Sequence, residues 1–131
     1  MLNAGTEEEA LSHQIIGAAI EVHKTLGPGL LESAYEECLA HEFALRGIAF
    51  ERQKPMPLQY KGCQLDCGFR ADFLVGGKVL VELKSVSDLT PVHSAQVITY
   101  LRLTGCKLGL LINFNETRLK DGMKRLIVKP Q

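Results

Sequence analysis

An α/β sandwich around a mixed β-sheet is the fold class this sequence predicts, on three observations. Two amphipathic helical stretches open the chain, a series of short strand-like runs follows, and a further helix leads into the apolar run KLGLLIN, Lys107–Asn113. Neighbouring strands joined by tight turns pair antiparallel, and a strand that returns after a helix completes a mixed sheet between helical layers.

The elements follow in order. Thr6-Glu7-Glu8-Glu9 has the form of a capping box, with Thr6 as N-cap and Glu9 three residues on. Leu11, Ile15, Ala18, Ala19 and Val22 then keep helical spacing to about Leu26, where Gly27-Pro28 stops the helix. A second helix is predicted from Leu30 to Arg46, ended by Gly47, with the stripe Leu31, Ala34, Tyr35, Cys38, Leu39 and Phe43. Strands are predicted at Ile48–Glu51, Met56–Tyr60 and Cys63–Asp66, the last two joined at Lys61-Gly62. Arg70–Val75 and Val79–Ser85 form a hairpin. Thr90–Thr104 reads as the third helix, with Pro91 in its first turn and Gly105 at its C-cap. Lys107–Asn113 has the continuous apolarity of a strand covered on both faces, and Leu126–Val128 is a last strand.

At 131 residues the chain predicts one domain over positions 1–131. It is 46% apolar and 23% charged, as soluble globular chains are. No apolar run approaches the length of a membrane span, and the N-terminus lacks the basic and apolar regions of a secretory signal. A cytoplasmic protein with no membrane partner is therefore expected. The net charge of zero conceals a polarity: residues 1–42 hold eight Glu against one Lys, and residues 43–131 hold fourteen basic against seven acidic side chains. That balance excludes the strongly basic class of nucleic-acid binder but leaves room for an anionic partner on one side. The cysteines, Cys38, Cys63, Cys67 and Cys106, show no C-x-x-C spacing. A zinc site on Cys38, His41, Cys63 and Cys67, or a zinc or iron–sulfur centre through the four cysteines, is the weaker reading, and buried thiols are expected instead.

The hairpin RADFLVGGKVLVELKSV carries charges in an otherwise apolar setting: Asp72 on its first arm, Glu82 and Lys84 on its second. Such charges are costly unless paired, solvated or bound to an ion. A two-residue Gly76-Gly77 loop would pair Asp72 with Val81 and split the carboxylates between faces. A three-residue loop, Gly76-Gly77-Lys78, pairs Asp72 with Glu82 and also gathers Phe73, Val75, Val79, Val81 and Leu83 on one apolar face. The three-residue register is therefore predicted. It leaves two carboxylates and an ammonium group in one patch, either as an ion-pair cluster or as part of a divalent-metal shell from Asp72, Glu82 and the Leu83 carbonyl.

Asp72, nine intervening residues, then Glu82-Leu83-Lys84 resembles the active-site hairpin of the PD-(D/E)xK nuclease superfamily, with Ala71 in place of the proline. Gly29-Leu30-Leu31-Glu32-Ser33-Ala34-Tyr35 resembles the G-x-x-E-x-x-Y signature of the small GxxExxY proteins in that superfamily. Gln96-Val97-Ile98-Thr99-Tyr100 is similar to the Q-x-x-x-Y element of its RecB-type exonuclease branch. The resemblance implies a restriction-endonuclease-like sandwich, with a mixed central sheet flanked by helices. It further implies a Mg²⁺- or Mn²⁺-dependent nuclease that cuts DNA or RNA through a metal-activated water. In that reading Asp72, Glu82 and the Leu83 carbonyl hold the metal, and Glu32 assists directly or through water. Lys84 handles the water or phosphate charge, and Gln96 and Tyr100 orient Lys84, a phosphate or an outer water. Gly29 lets the chain turn into its helix, Tyr35 reads as packing, and His93 stays outside the expected set. The implied partner is nucleic acid, DNA first, with a second copy or another protein supplying specificity. The alternative is a non-catalytic binding or interaction module on the same fold.

Overall fold

The computed structural model describes residues 5–129. Three helices, α1 (Thr6–Leu26), α2 (Glu32–Leu45) and α3 (Pro91–Thr104), accompany seven strands. The strands are β1 (Phe50–Pro55), β2 (Leu58–Tyr60), β3 (Cys63–Leu65), β4 (Arg70–Val75), β5 (Val79–Lys84), β6 (Leu108–Asn113) and β7 (Met123–Ile127). Five of them form the main sheet in the order β1-β4-β5-β6-β7, and β2 and β3 pair only with each other. The β5–β6 pair, joined through α3, is parallel and the other pairs are antiparallel. This is the mixed sheet flanked by helices that the sequence predicts.

Each face of the sheet carries its own core. Phe73, Val75, Val79, Val81 and Leu83 turn toward α1 and α2 and pack with Ile15, Ala19, Tyr35, Leu39 and Phe43. Leu80 and Leu111 turn the other way and pack with Val97 and Leu101 of α3. All six residues of β6 are buried, as a central strand covered on both faces requires. Gly109 lets α3 sit directly on that strand, since a Cβ there would lie 3.0 Å from Val97 Cγ1 and 3.2 Å from Leu101. The hairpin register is the predicted one: Val75 pairs with Val79 and Phe73 with Val81, leaving Gly76-Gly77-Lys78 as the loop. Gly76 and Gly77 both adopt positive φ, 60° and 70°, which a side chain would oppose.

Several boundaries differ from expectation, each for a local reason. Thr6 is the first residue of α1 and Gly5 its N-cap, with no side-chain cap bond, so the predicted capping box does not form. A capping box does occur at α3, where Thr90 and His93 exchange bonds. Leu31 stands before α2 in extended conformation and is 77% exposed, so it leaves the predicted apolar stripe. Ile48 belongs to the turn after α2, its N–H bonding the Phe43 carbonyl, and β1 starts two residues later. The last strand starts at Met123, after a 3₁₀ turn at Leu119–Gly122. The cysteines depart from the buried-thiol expectation: Cys63 and Cys67 are exposed in and after the β2–β3 hairpin, and Cys38 and Cys106 are half-buried. No helix among the described residues is long and apolar enough to cross a membrane.

Candidate active site

The β4–β5 ladder ends at Phe73–Val81, and the charged residues gather where the two strands part. Continued one step, the register sets Asp72 opposite Glu82. The Asp72 carboxylate enters the gap, and its Oδ2 accepts the Leu83 N–H at 2.8 Å. Ala71 joins the α3-side core although Phe73, two residues on, faces α1 and α2. A regular strand would put both on one face, so β4 twists at Asp72. Opposite it in β1, Gln53 adopts φ of 51°, unusual for a residue other than glycine, and its Nε2 donates to Asp72 Oδ1 at 3.1 Å.

Leu83 directs its carbonyl into the same gap. Along a strand the peptide groups of successive residues turn to opposite neighbours. The Lys84 carbonyl accepts the Phe114 N–H just beyond β6, while the Leu83 N–H goes to Asp72 on β4, so the Leu83 C=O shares that side.

Glu82 pays for its position in solvation. Its carboxyl is pushed up to about 9, first by burial, then by the charge and contact of Asp72, with Lys84 only partly opposing. Its Oε1 is buried, with no hydrogen-bond partner among the described residues. Among the described residues Lys84 makes no salt bridge, though its charge reaches both Glu82 and Glu32. Burial also raises the Glu32 carboxyl above the ordinary range. Lys84 pulls against that rise, and Asp72 and Glu36 add to it.

Glu32 reaches this place through the loop before α2. Tyr35, fully buried, donates its hydroxyl to the Gly27 carbonyl at 2.6 Å and accepts the Leu30 N–H at 3.1 Å. Its ring stacks on Phe114, 4.5 Å between centroids. Ser85 Oγ donates to the Leu30 carbonyl at 2.6 Å, tying the loop to the end of β5. Tyr35 is thus more than packing, because it fixes the turn, with Gly29 at φ of 97°, that delivers Glu32 toward Lys84. On the far side of β5, the fully buried Asn113 holds Val86 through both its backbone N–H and C=O.

A cleft of about 190 Å³ opens between β5 and the start of α3. Glu82, Lys84, Gln96 and Tyr100 all line it, so the residues of two separate motifs meet in one space. His93, left outside the expected set, lines it too; its Nδ1 accepts the Thr90 N–H at 3.0 Å, which leaves the proton on Nε2. Phe69, Arg70 and Val97 complete the wall, and the sequence does not mark Phe69 and Arg70 as part of it. Their only signal was position, immediately before Ala71-Asp72. Gln53 and its partner Glu36 carry no sequence signal either, since nothing in a strand's alternation marks a residue that braces a carboxylate.

Hard oxygen donors from Asp72, Glu82 and the Leu83 carbonyl, with one carboxylate oxygen orphaned, suit a small divalent cation. Among the described residues no three His, Cys, Asp or Glu side chains form a cation-holding group. No curated protein and no solved structure gives a significant match to the chain. The sequence profile of the PD-(D/E)XK nuclease superfamily, whose members generally use divalent metals, matches residues 9–126. That match spans most of the chain: the chain belongs to the PD-(D/E)XK nuclease superfamily.

Proposed function

We propose that the protein is a Mg²⁺- or Mn²⁺-dependent nuclease of the GxxExxY type, hydrolysing phosphodiester bonds in nucleic acid, DNA first. One observation carries the reading. Glu82 is desolvated against Asp72 with an unpartnered oxygen, an arrangement that costs stability and is relieved by a cation between the carboxylates.

Asp72, Glu82 and the Leu83 carbonyl would hold the ion. The chemistry such an ion supplies when bound is stabilisation of developing phosphate charge and a water made acidic enough to ionise near neutral pH. The chain's own groups do the rest. Lys84 offsets phosphate charge and orients the attacking water, and Glu32 assists from the start of α2. Gln96 and Tyr100 orient the phosphate, and His93 adds a donor through Nε2–H. The N-termini of α2 and α3, marked by Glu32 and His93, both approach the site, and their dipoles favour an anion there. On this reading residues 1–131 act as one cytoplasmic nuclease-like domain, with specificity supplied by a second copy or another protein.

The test is a metal titration followed by cleavage assays on single- and double-stranded DNA and RNA, with Asp72→Ala beside wild type. Mg²⁺ or Mn²⁺ should raise the melting temperature of wild type and permit cleavage, and Asp72→Ala should lose both responses. A wild-type protein indifferent to either ion would leave a non-catalytic module as the better description.

A further inference from the structure

Part of the cleft wall is aromatic. Phe69 and Tyr100 stack face to face, 3.5 Å between centroids and 5° from parallel, and both border the same space as Glu82 and Lys84. Each is only half-buried. Tyr100 belongs to neither hydrophobic core, and among the described residues its hydroxyl makes no hydrogen bond. Phe69 touches only the margin of the α3-side core. Because neither ring is fully buried, the stacked pair leaves part of its flat apolar surface open at the edge of a charged cleft.

We propose that the Phe69–Tyr100 pair is a nucleobase-stacking subsite, and that the substrate class of the adjoining carboxylates is therefore single-stranded nucleic acid. The proposal rests on the nuclease reading for the carboxylates and adds the form of the substrate. A base can extend the aromatic stack only after leaving its own stack. Single strands allow this readily, whereas a duplex must be unpaired first. The dimensions agree. At about 190 Å³ the cleft is smaller than the ~300–1,000 Å³ of common ligand pockets, a scale that suits a single base rather than a larger ligand. The charges agree as well. Arg70 follows Phe69 directly, and among the described residues neither Arg70 nor Lys84 forms a salt bridge, so both are available to phosphates flanking the stacked base. A purely structural aromatic pair would need no such neighbours.

The experiment is equilibrium binding by fluorescence anisotropy, in EDTA so that nothing is cut. Four labelled probes are compared: a short DNA strand, its RNA counterpart, the DNA strand made abasic throughout, and the matching DNA duplex. Wild type should bind an intact strand, in either sugar, about 5- to 150-fold more tightly than the abasic strand, the ratio one stacked base contributes. It should also prefer the single strand to the duplex. Tyr100→Leu should erase the intact-to-abasic ratio and Tyr100→Phe should keep it, with melting curves checking that each variant folds. Equal affinity for intact and abasic strands, or duplex bound as tightly as single strand, overturns the proposal. So does a folded Tyr100→Leu that keeps the ratio. Indifference to every oligonucleotide overturns it too and leaves the pair to a peptide partner. The wild-type comparison stands even if a variant fails to fold. Absence of cleavage on adding Mg²⁺ or Mn²⁺ counts against the nuclease reading alone, because binding in EDTA is read without it.

Discussion

On one side of Gln53, Arg52 grips two glutamates of α2; on the other, Asp72 and Glu82 meet with no cation in salt-bridge contact among the described residues. Arg52 donates to Glu36 and to Glu37, each at 2.7 Å, and Gln53 adds a bond to Glu36 at 2.6 Å. The guanidinium holds the Glu37 carboxyl below its ordinary range, and those same bonds raise Arg52 above its own. Beyond Gln53 the signs reverse: Glu82 is pushed up and has an orphaned oxygen. The sequence contains enough cations to satisfy both clusters, yet among the described residues the more exposed one is paired and the more buried one is not. Burial should favour the opposite allocation, because an unpaired charge costs more where water is excluded. A frustrated cluster beside a satisfied one points to a ligand as the missing partner.

The largest effects should separate the chemical residues of β5 from its structural ones. Lys84→Ala is expected to lower cleavage ~10²–10³-fold or beyond detection, on the scale of losing one charge-stabilising donor. Its melting temperature should stay near that of wild type, since Lys84 is only half-buried and makes no salt bridge among the described residues. One position earlier, Leu83 is 1% exposed and faces the α1–α2 core. Leu83→Ala should therefore cost ~2–5 kcal/mol in chemical denaturation. Equal stability losses in the two variants would make Lys84 a structural residue and remove the contrast with Arg52.

Glu82→Gln comes next. The folded carboxyl titrates at about 9 against an ordinary 4.5. A folded value above the unfolded one means that the group's contribution is fully present below about pH 4.5 and is lost as the pH climbs toward 9. Metal-free wild type should thus lose stability across that window, by up to ~3 kcal/mol at pH 7. Glu82→Gln should flatten the profile, equal or exceed wild type in EDTA at neutral pH, and gain less from Mg²⁺. Denaturation midpoints across that pH range, with and without metal, measure all three. A clear loss of stability in the metal-free variant would instead make Glu82 a partner in a structural ion pair, as Glu36 is.

How much of this could be read from the sequence depended on whether local pattern or distant contact set the outcome. The β4–β5 hairpin was legible because apolar alternation and Gly76-Gly77 both favour one register, so burial and turn geometry agree. The limits of α3 were legible from Pro91 and Gly105 for similar reasons. The pairing of β2 with β3 alone was not, since alternation within a strand does not name its neighbour. The start of β7 was hidden because Met123-Lys124-Arg125 lies on an edge strand, where charged residues face water without an apolar rhythm. That Glu82, Lys84, Gln96 and Tyr100 border one cleft accords with motif spacing, which places chemistry-bearing side chains at fixed intervals. Gln53 belongs to no such motif. Its positive φ and its bond to Asp72 depend on where β4 twists, and on Glu36 of a helix in another part of the chain.

The smallest effect tests whether Gln53 separates the two clusters or joins them. Arg52 is 32% exposed and its partners Glu36 and Glu37 are 15% and 70% exposed, so water and salt screen much of the attraction. Arg52→Met keeps the apolar stem and removes the charge, and it should cost within about 1 kcal/mol. The difference from wild type should shrink further at high salt. Glu36 keeps its bond from Gln53, which keeps its own hold on Asp72, so the geometry of the carboxylate pair should persist. Stabilisation by Mg²⁺ and the rate of cleavage should accordingly match wild type. If Arg52→Met instead weakens the metal response as strongly as Lys84→Ala weakens cleavage, the brace transmits. Arg52, Glu36, Gln53 and Asp72 would then form one network, in which the satisfied cluster sets the position of the frustrated one.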